Sequence, residues 1–368
     1  VISFAGGLPA PEFFPVDELK EAARLTLEKR AKYALQYGET EGIEALRQFL
    51  AERMKSVGVK IPHERVLITS ASQQGLDLIG KLFIDDGTYV VTSRPTYLGA
   101  IQAFNAYAPK YVTLNSDDDG VNIDELEKII EKYDPRFIYL VPSFQNPDGR
   151  TLSFERRKRI AEISVKYNLP VVEDDPYSEL VYEGEKLPPI IALAPDNVIM
   201  LGTFSKIISP GLRIGWIIAP EFALDKLVKL KQGADLHTST FAQWMIYEFL
   251  AAGNLDKHIQ KLKSVYRNRL KAMLESIERY FPYEVKTSHP KGGLFLWAEL
   301  PNSLDTSELL PYAVEKGVAY IPGTYFFPDG GGKNTMRLNF SYCDEATIEE
   351  GIKRLGDVFK QAIVRLKV

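Results

Sequence analysis

Beginning near residue 65, the chain switches repeatedly between short β-rich runs and amphipathic stretches long enough to be helices. Residues 66–69, 89–92, 111–114, 137–141, 170–173, 198–201 and 214–219 read as strands. Residues 73–83 read as a helix with Leu76, Ile79, Gly80 and Phe83 on one side, and residues 124–133 and 154–167 read as helices too. Strands separated by helices can return in the same direction and be covered on both faces. The pattern therefore predicts an α/β chain with a mostly parallel sheet sandwiched by helices. A helical region follows from about residue 221 to 281.

After Phe281 the texture changes. Residues 284–286, 294–299, 319–321 and 336–340 read as strands, residues 306–316 as a helix, and residues 345–365 as a long terminal helix. The chain has 368 residues, enough for two domains. The expectation is a large domain over residues 38–280 and a smaller α+β domain over residues 281–368. Residues 1–37 are expected to pack on the smaller one, because chain ends often meet.

Composition removes several classes of function. Lys and Arg number 45 against 49 Asp and Glu, a net charge of −4. No positive excess is available to neutralise phosphates, so nucleic-acid binding is not expected as the main task. The longest apolar runs, such as residues 137–141, have five residues, whereas a membrane span needs about 20. One cysteine, Cys343, cannot form an intrachain disulfide, and His63, His237, His258 and His289 show no zinc-site spacing. With no signal sequence visible, the reducing cytoplasm is the compartment expected. The chain opens at Val1 rather than Met, and a leading segment is expected to precede it.

The most informative segment is Leu201-Gly202-Thr203-Phe204-Ser205-Lys206, followed by Pro210-Gly211-Leu212-Arg213-Ile214-Gly215. A lysine closes a strand-like run, hydroxyls precede it, and an arginine lies seven residues on. Its apolar flanks disfavour a free surface lysine. Desolvation lowers an amine's pKa and makes it a usable nucleophile toward an aldehyde. The hydroxyls and Arg213 are donors suited to a phosphate dianion. Together they suggest pyridoxal phosphate.

Other segments add weight. In Val171-Val172-Glu173-Asp174-Asp175-Pro176-Tyr177 a buried-looking strand runs into acids. Taken alone it reads as a polar strand end with a helix cap. Strand alternation puts Asp174 on the opposite face from Glu173 and Asp175, and a carboxylate against a pyridine nitrogen keeps that nitrogen protonated. Tyr177 could donate its phenol to the cofactor's 3-oxygen, as could the amide of Asn146 in a strand-to-turn segment. Ser72 and Gln73 stand at a strand-to-helix junction, where free backbone amides seat phosphates. Ser72 also reads as an ordinary N-cap. Tyr97 follows a strand end. The run Asp329-Gly330-Gly331-Gly332 reads as a flexible turn, and Glu155-Arg156-Arg157-Lys158-Arg159 as a solvated helix face.

The ensemble resembles the fold-type I pyridoxal-phosphate aminotransferases of classes I and II. Within them it is similar to the branch of 2-aminoadipate, type II kynurenine and broad aromatic aminotransferases. The resemblance spans essentially the whole chain. It rests on Ala5-Gly6-Gly7-Leu8-Pro9, Leu35-Gln36-Tyr37-Gly38, Ser72-Gln73-Gln74-Gly75, Pro95-Thr96-Tyr97, Gln145-Asn146-Pro147, Glu173-Asp174-Asp175-Pro176-Tyr177, Thr203-Phe204-Ser205-Lys206, Arg213-Ile214-Gly215 and Met336-Arg337-Leu338-Asn339-Phe340-Ser341. Each is weak alone; nine in this order are specific.

The resemblance implies roles by position. Lys206 would bind the cofactor aldehyde and later carry a proton between Cα and the cofactor. Asp174 would pair with the pyridine nitrogen, with Asp175 as its rival. Asn146 and Tyr177 would hold the 3-oxygen, and Tyr97 would stack on the ring. Ser72, Gln73, Ser205 and Arg213 would bind the phosphate, joined by Tyr37 from the neighbouring subunit of a homodimer. Arg337 would clamp the substrate α-carboxylate, and Gly7 and Asn146 would lie beside the substrate. Thr203 stands where relatives often carry serine.

The activity implied is amino-group transfer from an L-amino acid to an oxo acid, 2-oxoglutarate by resemblance. A lyase, decarboxylase or racemase on the same fold is the alternative enzyme. A cofactor-binding sensor domain, as in one family of bacterial regulators, is the alternative outside catalysis. No helix-turn-helix segment is visible to support it.

Overall fold

The computed structural model describes residues 1–366. In chain order the elements are β1 (Ile2–Ser3), α1 (Val16–Ala34), α2 (Glu44–Lys55), β2 (Val66–Thr69), α3 (Ala71–Phe83), β3 (Tyr89–Arg94), α4 (Leu98–Asn105), β4 (Lys110–Asp117), β5 (Gly120–Val121) and α5 (Leu126–Tyr133). Then come β6 (Ile138–Leu140), α6 (Phe154–Tyr167), β7 (Val171–Asp174), β8 (Val198–Thr203), β9 (Gly215–Ile218), α7 (Glu221–Asp235), α8 (Thr240–Ala251) and α9 (Asn254–Tyr280). The chain ends with β10 (Lys286–Thr287), β11 (Phe295–Glu299), α10 (Thr306–Glu315), β12 (Val318–Ala319), β13 (Ile321–Pro322), β14 (Thr335–Asn339) and α11 (Glu345–Leu366).

The alternation folds as its spacing dictates. Eight strands form one sheet in the order β2-β9-β8-β7-β6-β3-β4-β5. The β4–β3, β3–β6, β6–β7 and β7–β8 pairs are parallel. Strands β2, β6, β7, β8 and β9 are buried at every position, because helices cover both faces. Strand β9 runs antiparallel to β8 and to β2. Residues 204–214 between β8 and β9 hold only one 3-10 turn, too little chain for a helical crossover to a parallel strand.

One consequence locates the chemistry. Thr69, Arg94, Leu140, Asp174 and Thr203 end parallel-running strands along one edge of this sheet. The segments that follow them carry Ser72, in the first turn of α3, and Tyr97, Asn146, Tyr177 and Lys206. Arg213 comes just before β9 starts at the same edge, where Thr203 pairs with Gly215. The carboxyl edge of an open α/β sheet is where such folds bind ligands.

The C-terminal unit is an antiparallel sheet in the order β10-β11-β14-β13, with α11 packed along α9. The first residues of the chain join this unit. β1 pairs in parallel with β12, and the Asn339 amide donates to the Phe4 carbonyl. Helix α1 lies along α8, where Arg30 stacks over Trp244 at 4.8 Å and Thr240 donates to the Ala34 carbonyl.

The structure differs from the sequence reading in detail. The helical stretch after residue 221 is three helices, broken at residues 236–239 and 252–253. The expected strand at 319–321 is two short strands flanking Tyr320, whose hydroxyl donates to the Thr306 carbonyl. The turn read as flexible is pinned: Asp329 accepts from Arg94 and Thr113. Arg157 corrects the reading of residues 155–159 as a solvated face. It is 1% exposed and donates to the carbonyls of Leu152, Pro142 and Pro188 and to Ser143 Oγ. It shares the buried face of α6 with Ile160, Ala161 and Ser164, one helical turn apart. Among the described residues no helix is long and apolar enough to cross a membrane.

Candidate active site

A cavity of about 170 Å³ opens at the carboxyl edge of the sheet. It is lined by Ser72, Gln73, Tyr97, Asn146, Asp174, Tyr177, Ser205, Lys206 and Arg213, together with Ala71, Val141, Pro176, Thr203 and Pro210. Thus nine residues singled out from six separated segments meet in one place. Gly7 and Arg337 are tied to it by hydrogen bonds: Lys206 Nζ donates to the Gly7 carbonyl at 2.7 Å, and Arg337 Nη1 donates to Asn146 Oδ1 at 2.8 Å.

Lys206 keeps part of its surface open to the cavity. Burial, then the positive charges of Arg337 and Arg213, push its pKa down to about 8. A sizeable share of the amine is then neutral near physiological pH, which is the state a nucleophilic lysine needs.

The acidic run at the end of β7 separates by strand alternation. Glu173 turns to the helical side and accepts the amides of Ile190 and Ile191. Asp175 accepts the Ser178 amide and hydroxyl and so caps the turn. Asp174 is the one that lines the cavity. Its Oδ2 accepts the Tyr139 hydroxyl at 2.8 Å, while its buried Oδ1 has no partner among the described residues. Burial raises its pKa to about 7, against the opposing Tyr139 hydrogen bond and with the help of the Asp175 charge. Such a carboxylate lacks one thing, a cationic donor, which a protonated pyridine nitrogen would supply.

Arg337 comes from β14. Its guanidinium stacks on Phe295 at 4.4 Å and on Phe326 at 5.1 Å. Nη1 holds Asn146 and Nη2 holds the Ala5 carbonyl at 2.6 Å. Each terminal nitrogen carries two hydrogens, so each retains one donor for a carboxylate. Burial lowers its pKa to about 10 against the pull of Tyr177 and Tyr97, and it stays charged. A side chain on Gly7 would approach the Phe295 ring to 3.3 Å, so glycine lets the backbone carbonyl sit beside Lys206. The Asn146 side chain also hydrogen-bonds Tyr177, whose pKa is raised chiefly by burial.

One part of the cavity lining gathers groups suited to an anion. Helix α3 begins at Ala71, and the amides of its first turn have no partner within the helix. The Gln73 side chain is spent elsewhere, donating to the Gly99 carbonyl, so only its backbone amide is available there. Thr203 Oγ1 donates to Ser205 Oγ at 2.8 Å and accepts the Ser205 amide, which fixes the serine. Arg213 takes a left-handed backbone with φ 52° just before β9. Gly215 explains the tightness: a Cβ there would meet the Ala71 carbonyl carbon and the Ser72 nitrogen within 2.8 Å.

Tyr37 stands apart. It is 79% exposed, lies edge-on to His237 and lines no part of the cavity of this chain. Tyr139 is the functional neighbour that the sequence reading missed. It sits inside an apolar strand, where nothing marks one aromatic ring from another.

These groups fit pyridoxal phosphate: a depressed lysine for the aldehyde, an unpartnered buried carboxylate for the ring nitrogen, and amides, hydroxyls and Arg213 for the phosphate. Comparison with known proteins agrees. The family model described as aminotransferase class I and II matches residues 6–355. Aromatic-amino-acid aminotransferase 1 of Thermococcus litoralis is 48% identical over 368 residues, covering 98% of this chain and 88% of its own. The α-aminoadipate aminotransferase of Thermus thermophilus, solved with N-(5′-phosphopyridoxyl)-L-leucine, superposes with a TM-score of 0.94. It is 44% identical, over 99% of this chain and 93% of that one. Pyrococcus horikoshii kynurenine aminotransferase, solved in complex with PMP, gives a TM-score of 0.95 at 43% identity over 99% and 91%. With a likeness that runs nearly end to end, the chain belongs to the class I and II aminotransferases.

Proposed function

We propose that this aminotransferase moves the amino group of an L-amino acid of aromatic, kynurenine or 2-aminoadipate type to 2-oxoglutarate by a ping-pong mechanism, with pyridoxal 5′-phosphate as cofactor. The observation that carries the reading is the convergence of Lys206 and Asp174, from beyond the end of β8 and the end of β7, on one cavity to which Arg337, midway along β14, is tied through Asn146. Bound there, the cofactor supplies an aldehyde that captures amines and a ring that accepts electrons from Cα.

The residues do the rest. Arg337 holds the α-carboxylate with the donors left on its two terminal nitrogens and so orients Cα toward Lys206. Lys206, neutral above about pH 8, would accept the Cα proton and return it to the cofactor carbon two bonds away, across the transferred nitrogen. Asp174 holds the ring proton, which keeps the ring an electron acceptor. Asn146 and Tyr177 hold the 3-oxygen and Tyr97 covers the ring face. Ser72, Gln73, Ser205 and Arg213 anchor the phosphate, and Gly7 leaves space beside the substrate. The first oxo acid leaves before the second enters, and the same residues run the return half.

We also propose that the active unit is a cytoplasmic homodimer in which Tyr37 reaches the phosphate of the partner's site. Its exposure away from its own cavity supports this. The reading is tested by steady-state kinetics with each donor class against 2-oxoglutarate. Parallel double-reciprocal lines and one glutamate formed per oxo acid released are expected. Carbon dioxide or ammonia released without glutamate would mark a decarboxylase or lyase.

A further inference from the structure

Behind the anion seat lies a buried lysine that touches no part of the cavity. Lys231, on α7, is fully buried. Its ammonium donates to Gln74 Oε1 at 2.8 Å, to both oxygens of Asp235 at 2.9 Å and to Thr238 Oγ1 at 2.9 Å. That satisfies every hydrogen it carries. The network continues toward the cavity. Gln74 Oε1 also accepts the Ser70 amide at 2.8 Å, and Asp235 Oδ2 accepts Gln74 Nε2 at 2.7 Å and Ser70 Oγ at 3.2 Å. Ser70 is thus held by both its backbone and its hydroxyl.

The residue so held precedes a costly turn. Ala71 has φ 60°, a left-handed conformation that residues other than glycine adopt only at a cost. That turn ends β2, starts α3 and aims the amides of Ser72 and Gln73 at the cavity. Gly215 presses on it from the other side. Without an anchor, the strained residue would relax and the first-turn amides would lose their common direction.

We propose that Lys231 is a positioning residue for the phosphate seat, acting through Gln74 and Ser70 on the Ala71 turn. The proposal rests on reading the α3 N-terminus as the place where the cofactor phosphate binds. Substitution of Lys231 should therefore weaken what the phosphate contributes and spare what the ring and aldehyde contribute.

The test titrates the full-length chain, stripped of cofactor, with pyridoxal 5′-phosphate and separately with pyridoxal, which lacks the phosphate. Both are followed by absorbance. In Lys231→Met the Kd for pyridoxal 5′-phosphate should rise about tenfold, as the first-turn amides lose their common aim at the phosphate. The Kd for pyridoxal should stay within about twofold. Gln74→Met should do the same while leaving the Lys231–Asp235 pair intact, and it carries the test if Lys231→Met does not fold. Equal weakening of both aldehydes, or of neither, would overturn the positioning role. A wild-type chain that binds both aldehydes equally would remove the phosphate seat itself, and the role of Lys231 with it.

Discussion

The ammonium of Lys206 lies 2.7 Å from the carbonyl oxygen of Gly7, residues 199 positions apart in sequence. The contact joins the end of β8 to the N-terminal segment across the cavity. It places the reactive amine where the backbone of residues 5–7 and the guanidinium of Arg337 meet. On the proposed reading, Lys206→Ala removes both the covalent anchor and the proton carrier. Turnover should fall by at least about a thousandfold, measured as glutamate formed per second at saturating substrates. A variant within tenfold of wild type would contradict the role.

The same amine sets a pH dependence. Only the neutral amine attacks an aldehyde, and burial with two nearby arginines brings the Lys206 pKa to about 8. The rate of pyridoxal 5′-phosphate capture should rise with pH through about 8 and flatten above it, because the pKa is depressed and deprotonation completes early. Stopped-flow absorbance measures it. A rise that continues to the ordinary lysine value of about 10.4 would contradict the depression.

Asp174→Asn keeps the shape of the side chain and its contact with Tyr139 but removes the charge proposed to hold the ring proton. The expected signature is a kcat loss of about a hundredfold or more with a much smaller change in cofactor Kd. The opposite pattern, weak cofactor binding with nearly normal kcat, would make Asp174 an anchor rather than an electronic partner.

Arg337→Lys preserves the positive charge and loses the planar fork. KM should rise about tenfold or more for every amino acid that turns over, since one charge-assisted hydrogen bond is worth about 1.5–3 kcal/mol. A rise confined to one donor would mean that Arg337 reads a side chain.

Arg157 makes a structural prediction. Its guanidinium closes three carbonyls and a hydroxyl around the segment that carries Asn146. Arg157→Met takes the donor from the Leu152 and Pro188 carbonyls, while Pro142 keeps the Leu152 amide, at a cost of about 2–4 kcal/mol. A clear fall in melting temperature is expected, and an unchanged one would contradict the clamp.

What the sequence made legible follows from physics. Strands β2 and β6 to β9 are buried throughout, so their apolar runs stand out without tertiary information. Helix α1 was not legible, because only Ala22, Thr26 and Ala34 of its residues are buried and its apolar periodicity is faint. Arg157 hid inside a charge run, since nothing local shows that one arginine of three points inward. At the cavity, Lys206, Asp174, Asn146 and Arg213 announced themselves by residue type and setting. Ala71, Val141 and Pro210 also line it, and Tyr139 reaches Asp174 from the neighbouring strand without lining it, so contact rather than motif reveals them.

The most direct measurement is chemical capture of the amine that holds the cofactor. The protein loaded with pyridoxal 5′-phosphate is reduced with borohydride and digested, and the peptide carrying the pyridoxyl group is sequenced by mass spectrometry. Lys206, in the segment Thr203-Phe204-Ser205-Lys206, is the expected site of the label. A label on any other lysine, or no label on a protein that binds the cofactor, would contradict the assignment on which the catalytic roles of Asp174 and Arg337 depend.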